Sequence, residues 1–471
     1  MSDTRPRLSA REAISLATAP GSFRALPPPP ASADAATDGP LAWHGYDAMR
    51  ERAAHRTGEQ EAVVCGTALV GTTRVVLMSF EFGFLGGSLG QRAGDLVESA
   101  HVFARDHRLP VVSLVATGGS RMQEGMRALA QLQRVARQSA RTRAAGLPQI
   151  AVLRDPCTGG GWATVGAGAD ITLALPGAQV GFAGARVRPA DASGRHYTAE
   201  AQWLGGAVDA LVTPAELQDR LGLWLSLLTC GSADPAPAPY ALGRTDLPTT
   251  GWEAVLRARH PSRPRAADYL DAYFSRRVLL SGDRAGGGRD AGVLCGVGAH
   301  EGRAIAFVAQ QGTATRPAGY RTATRLVRLA GRLSLPVLTL VDTPGAANDP
   351  QAEAEGVGGA IAGLFEALAT AEVPVTTLVI GEGGSGGALA LAAPDNTWVT
   401  PDSYFSVIAP ESAAAILKRP VDDAPDIADA FRLRPQDVVR LGIARGIKGA
   451  DGDGATYDMT ESRAATLDEA G

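Results

Sequence analysis

The chain has 471 residues, enough for two ordinary cores. Its composition, 45% hydrophobic and 20% charged, suits a globular protein, and a net charge of −4 excludes the global basic field expected of a nucleic-acid binder. No apolar run reaches the roughly 18 residues of a spanning helix. The start of the sequence has no apolar signal-peptide core, so the expectation is a cytoplasmic protein.

Taken in chain order, residues 1–39 read as a flexible N-terminal segment with one short helix. Leu8 to Ala17 has the amphipathic pattern, Pro20-Gly21 ends it, and Pro27 to Gly39 is a Pro/Ala-rich loop. Residues 40–230 form a first domain, 231–250 a Pro-rich linker, 251–450 a second domain and 451–471 an acidic tail expected to be loosely ordered. The four cysteines, Cys65, Cys157, Cys230 and Cys295, form no CxxC pair and have no histidine at ligand spacing. They are expected to be isolated thiols, with neither a disulfide nor a zinc site.

The two domains repeat each other. Pro110-Val-Val-Ser-Leu-Val-Ala-Thr117 matches Pro336-Val-Leu-Thr-Leu-Val-Asp-Thr343, an offset of 226 residues. The same offset relates Pro148 to Pro374, and Gly159-Gly160-Gly161 to Ser385-Gly386-Gly387. Upstream, Val64-Cys65-Gly66 matches Leu294-Cys295-Gly296 at an offset of 230, so a small insertion or deletion lies between. Short β-rich runs alternate with helical runs such as Met122 to Ala145 and Tyr320 to Leu333, which predicts an α/β fold.

Four glycine-rich turns sit where a predicted strand passes into a helix: Thr117-Gly118-Gly119-Ser120, Gly159-Gly160-Gly161, Thr343-Pro344-Gly345 and Gly383-Gly384-Ser385-Gly386-Gly387. Glycine lets a backbone turn sharply and approach a ligand. The first amides of the following helix have no internal partner and point into the turn. Two such amides can hold a developing oxyanion. Beside the Gly118-Gly119 turn, Arg121 could pair with an anion, or instead with a nearby acid such as Glu124. There is no GxxxxGK[ST] run for a phosphate loop. Gly383-x-Ser385-x-Gly387 has the spacing of a nucleophile elbow, but the last histidine, His300, precedes it, so no later base exists.

At these motifs the sequence resembles the carboxyltransferase component of bacterial acetyl-CoA carboxylase. The first domain is similar to its β subunit through Phe80-Glu-Phe-Gly-Phe-Leu-Gly-Gly-Ser88, Thr117-Gly-Gly-Ser-Arg-Met-Gln-Glu-Gly125, Asp155-Pro-Cys-Thr-Gly-Gly160 and Val180-Gly-Phe-Ala-Gly-Ala-Arg186. The second is similar to the α subunit through Ala258-Arg-His-Pro-Ser-Arg-Pro264, Ser281-Gly-Asp-Arg284, Asp342-Thr-Pro-Gly-Ala346, Ile380-Gly-Glu-Gly-Gly-Ser-Gly-Gly-Ala-Leu389 and Ser403-Tyr-Phe-Ser-Val-Ile408. The four-cysteine ribbon usual before the β motif does not precede it here, and Glu355 stands where an arginine is usual.

The resemblance implies two tandem crotonase-like (ClpP/crotonase) ββα spiral domains. It implies oxyanion sites at Gly159-Gly160 and Gly386-Gly387, whereas the repeat pairs Gly160-Gly161 with Gly386-Gly387; that register stays open. Gly118, Gly119 and Arg121, with Gly345 and Ala346 in the second domain, are expected to bind substrate. The reaction implied is carboxyl transfer between carboxybiotin on a carrier protein and an acyl-CoA, by default acetyl-CoA to malonyl-CoA. Biotin carboxyl carrier protein and biotin carboxylase would be separate partners. A homodimer is expected, because the halves of the family meet face to face. The same amides would also serve a biotin-independent decarboxylase of a malonyl-type thioester, and a catalytically silent scaffold is a third alternative.

Overall fold

The computed structural model describes residues 7–30 and 37–449. The chain divides into two units, Met1–Thr229 with Arg284–Gly288, and Cys230–Asp283 with Arg289–Gly471. The acidic tail expected at 451–471 lies outside the described residues.

In the first unit an antiparallel hairpin, Val63–Val70 with Thr73–Phe80, leads into parallel strands Val111–Thr117, Gln149–Thr158, Ile171–Ala174 and Ala210–Leu211. The central strands are apolar without alternation and buried throughout, as parallel strands covered on both faces must be. Helices Gln91–Asp106 and Gly125–Ala144 make the crossovers. The second unit repeats this order with the hairpin Val293–His300 and Arg303–Gln310, then parallel strands Val337–Thr343, Val375–Gly384 and Thr397–Val399.

The strand registers carry the repeat into three dimensions. Val76 pairs with Val111 as Ala306 pairs with Val337, and Val111 with Gln149 as Val337 with Val375. The offset passes from 230 to 226 in one loop, because residues 81–90 of the first unit correspond to only 311–316 in the second. A further feature is shared. Between Val115 and Thr117 the partner strand advances from Leu153 to Cys157, and between Val341 and Thr343 it advances from Val379 to Gly383. Two extra residues bulge each long strand and re-aim its end toward a second short partner, Val180–Gly181 or Tyr404–Ser406. The glycine turns follow immediately.

Three expectations from sequence need correction. The described part of the N-terminal segment is docked rather than flexible. Helix Ala10–Ala17 is capped by Ser9 and Glu12 and buries Ala10, Ala13, Ile14 and Ala17. The Glu81 carboxylate accepts from the Ala10 amide at 2.7 Å, and the Arg154 guanidinium donates to the Leu8 carbonyl at 3.0 Å. Residues 231–250 have neither helix nor strand, yet they pack as a strap on the second unit. The carbonyls of Ala236 and Pro237 accept from the hydroxyls of Thr376 and Tyr273, both at 2.7–2.8 Å, so a stretch short of N–H groups is still satisfied. The helix expected from Met122 begins with a tight turn, Met122–Glu124, and becomes α-helical at Gly125.

No helix among the described residues is long and apolar enough to cross a membrane.

Candidate active site in each unit

In the first unit the bulged strand delivers the turn Thr158–Gly161 onto the turn Thr117–Arg121. A Cβ on Gly119 would lie 3.4 Å from the Gly159 Cα and from the Gly160 nitrogen, so the two backbones are within contact reach, and the Gly119 φ of +103 favours glycine. The Thr158 hydroxyl donates to the Thr117 carbonyl at 3.3 Å and the Gly119 amide to the Thr117 hydroxyl at 3.0 Å. In the second unit Thr343–Ala347 meets Gly383–Gly387, and the Gly345 amide donates to the Thr343 hydroxyl at 3.1 Å. The Gly387 carbonyl accepts from the Tyr320 hydroxyl at 3.1 Å and from the Gln310 side-chain amide at 3.4 Å. Burial pushes the Tyr320 phenol up, so it stays a neutral donor.

Backbone dihedrals follow the alignment given by the repeat. Gly159 has φ +65 and Ser385 has φ +56; Gly119 has φ +103 and Gly345 has φ +141. Gly160-Gly161 therefore corresponds to Gly386-Gly387, and Ser120 to Ala346.

The amides expected to be free are not all free. The Gly159 amide donates to the Phe182 carbonyl at 3.0 Å and the Gly118 amide to the Gly86 carbonyl at 2.8 Å, while that of Gly119 is held by Thr117. Gly118, Gly119 and Gly159 thus shape the turns rather than offer donors. Among the described residues, nothing accepts from the amides of Ser120, Gly160 and Gly161, or of Ala346, Gly386 and Gly387. A Cβ on Gly387 would lie 2.5 Å from the Ala346 nitrogen, so in the second unit the two turns are in contact at these residues. Ser120 was not singled out from the sequence; its equivalence to Ala346 in the repeat is the signal that could have found it.

Arg121 also requires correction. Its side chain is wholly buried and is spent on Glu61, Glu124, Tyr46 and Ser88, so it offers nothing to an anion from solvent. The pairing with Glu124 that the sequence allowed is present at 3.4 Å. In the second unit the matching position is Ala347, and a different ion cluster lies nearby. The buried Asp342 pairs with Arg263 at 2.5 Å and Arg265 at 3.2 Å, and it accepts the Glu382 amide at 3.2 Å. Glu382 in turn binds Arg259 and the Tyr404 hydroxyl, each at 2.8 Å. The motifs around Arg263, Asp342 and Tyr404 therefore build the floor beneath the second turn.

Burial pushes the Cys157 thiol up, and no group of three or more His, Cys, Asp or Glu side chains among the described residues could hold a metal. What each site offers is three backbone amides with no acceptor among the described residues, a donor set suited to a negatively charged oxygen.

Comparison with known proteins agrees in kind. The carboxyl transferase domain family matches residues 4–211, and the acetyl co-enzyme A carboxylase carboxyltransferase-like family matches residues 247–470. The acetyl-coenzyme A carboxylase carboxyl transferase subunits beta/alpha of Salinispora arenicola is 39% identical over 96% of this chain and 84% of its own. The chain belongs to this carboxyltransferase family. A probable biotin-dependent acyl-coenzyme A carboxylase beta3 subunit of Mycobacterium bovis is 34% identical over 84% of the chain and 81% of its own length. Among solved structures, transcarboxylase 12S, described as a hexamer with methylmalonyl-coenzyme A and methylmalonic acid bound, superposes with a TM-score of 0.77 at 20% identity, covering 98% of this chain and 90% of that one. A single-chain, multi-domain long-chain acyl-CoA carboxylase superposes with a TM-score of 0.71 at 20% identity, over 98% of this chain and 47% of that one. Each unit of this carboxyltransferase has the crotonase-like α/β fold. The protein is an acyl-CoA carboxyltransferase of a biotin-dependent family, whose members use carboxybiotin as co-substrate and act with biotin carrier and carboxylase partners.

Proposed function

We propose that this carboxyltransferase forms malonyl-CoA from acetyl-CoA, with the Ser120, Gly160 and Gly161 amides and the Ala346, Gly386 and Gly387 amides as its two oxyanion sites. The single observation that carries this reading is the same set of unspent amides, in the same backbone geometry, in both units. One site holds the thioester oxygen as the α-carbon loses its proton; the other holds the ureido oxygen of the biotin. Carboxybiotin supplies the CO2 that forms the new carbon–carbon bond, and the biotin ureido nitrogen receives the proton. The chain's own part is to fix the two oxygens and exclude misplaced donors, which needs no side-chain base at the turns. Exposed Ser385 and Gly386, with open space where a Gly386 Cβ would lie, suit a bulky ring at the second turn.

The working form is a homodimer, and the location is cytoplasmic. The test is the reverse reaction: malonyl-CoA is supplied with and without biotin, and acetyl-CoA release is followed. Release that depends on biotin supports the reading. Release without biotin would make the protein a malonyl-thioester decarboxylase instead. Light scattering at nanomolar concentration checks the assembly; a fully active monomer would remove the dimer.

A further inference from the structure

The cluster around Arg121 has no direct part in the reaction just described, yet it lies one residue from a proposed oxyanion amide. All five guanidinium N–H groups are used. Nε donates to the Ser88 hydroxyl at 3.2 Å and Nη2 to the Ser88 carbonyl at 2.8 Å, while Nη2 and Nη1 span the Glu61 carboxylate. Nη1 also reaches the Tyr46 hydroxyl at 3.2 Å, and Tyr46 donates onward to Glu124 at 2.6 Å. Glu124 accepts the Gln91 amide, the first of helix Gln91–Asp106. Burying one cation with two carboxylates is a poor route to stability, because an apolar replacement of similar shape does as well or better. What such a fork supplies is geometry.

The parts it joins are the loop 81–90 and the turn that bears Ser120. The Arg121 amide donates to the Leu89 carbonyl at 2.9 Å, and the Leu89 amide donates to the Gly119 carbonyl at 2.8 Å. The guanidinium thus grips Ser88 while the backbone of the same residue grips Leu89. Gly119 rests on Gly159 and Gly160, so a shift of the turn passes to the Gly160 amide. The second unit is the natural control. Thr315 and Ala347 repeat the backbone bonds at 3.0 and 2.9 Å, but the loop 311–316 is four residues shorter than 81–90 and no arginine stands at 347. A longer loop has more freedom to lose; 81–90 is held by the buried Arg121 fork, whereas 311–316 ends in the partly exposed pair of Arg316 with Asp349 at 2.8 and 3.2 Å.

We propose that Arg121 is a positioning residue for carboxyl transfer, acting through Ser88, Glu61 and Tyr46 to hold the Ser120 and Gly160 amides in place. The proposal rests on the reading of those amides as oxyanion donors. It is tested with Arg121→Lys, which keeps the charge and loses the fork, and with Tyr46→Phe, which removes one hydroxyl from the cluster. In folded protein, kcat for acyl-CoA carboxyl transfer should fall about 10- to 100-fold in Arg121→Lys, with KM within about threefold of wild type. Amide hydrogen exchange should quicken in segments 117–121 and 158–162 of both variants and stay unchanged at 343–347 and 383–387. Wild-type kcat and unchanged exchange overturn the proposal. A rise in KM alone also overturns it, since that is the mark of a direct substrate contact. If wild-type protein shows no carboxyl transfer, the functional reading has failed, and the exchange pattern alone decides the brace: quickening confined to the two first-unit segments supports it, and none rejects it.

Discussion

The phenol of Tyr320 donates to the carbonyl of Gly387 at 3.1 Å from inside the second unit. A residue of the helix Pro317–Arg332 thereby holds the far side of the peptide unit next to a proposed oxyanion amide. Gln310 adds a weaker contact to the same carbonyl at 3.4 Å. Tyr320→Phe removes the first of these and keeps the ring. It should cost about 1 kcal/mol of stability, the usual net worth of a hydrogen bond, and lower kcat more than that loss explains. Urea titration and steady-state kinetics on the same preparation check both halves. A variant with unchanged kcat would show that Gln310 suffices.

Substitutions at the two matched glycines should separate stability from turnover. A Cβ on Gly386 meets nothing within 4 Å, and its φ is not in the left-handed region, so Gly386→Val should fold normally. Its isopropyl group would nevertheless fill the open space proposed for the ring and bar the oxygen from the amides, so the rate should fall by about 10²–10³, the scale of losing one oxyanion donor. Gly160→Val is different, because its Cβ would collide with Leu132; overpacking should cost about 1–3 kcal/mol besides the rate. Melting curves and turnover of the two variants side by side test the contrast. Near-normal turnover of a folded Gly386→Val would take that glycine out of the site.

Asp342→Asn should be among the most damaging single changes in the second unit. The carboxylate is fully buried between Arg263 and Arg265, and it accepts the Glu382 amide. Removing its charge strands a buried guanidinium, which typically costs about 3–5 kcal/mol. Denaturant unfolding gives the number. A loss below about 1 kcal/mol would mean that water reaches the pair.

His101 should make the first unit acid-sensitive. It is buried on helix Gln91–Asp106 with Nδ1 3.1 Å from the Thr142 hydroxyl. Burial first, then the charges of Arg105 and Arg143, lower its pKa from 6.5 to about 4. The unfolded chain therefore binds a proton between these values that the folded chain refuses. Stability from this group is complete above about 6.5 and is lost as pH falls toward 4. His101→Gln should flatten the dependence of melting temperature on pH in that window, and an unchanged slope would assign the acid sensitivity to other groups.

The repeat, the alternation of strands and helices, and the positions of the four glycine turns were legible in the sequence. Each is written in local pattern: apolar runs define the strands, proline marks their starts, and a shared offset of 226 binds the two halves. The same pattern was enough to reach the carboxyltransferase family, because its motifs sit at the turns where the chain must approach a ligand. Which amides stay free was a matter for the tertiary structure alone. The Gly159 amide is spent on Phe182, and that of Gly118 on Gly86, through contacts that no local pattern encodes. The role of Arg121 was likewise undecided until Glu61 and Tyr46, distant in sequence, came within hydrogen-bond reach. A charge beside a glycine turn reads the same whether it faces solvent or a carboxylate, and only burial distinguishes the two. The N-terminal helix and the strap 231–250 follow the same logic: their compositions suit loose chain, and their order comes from partners such as Glu81, Arg154 and Thr376 on strands and loops far along the chain.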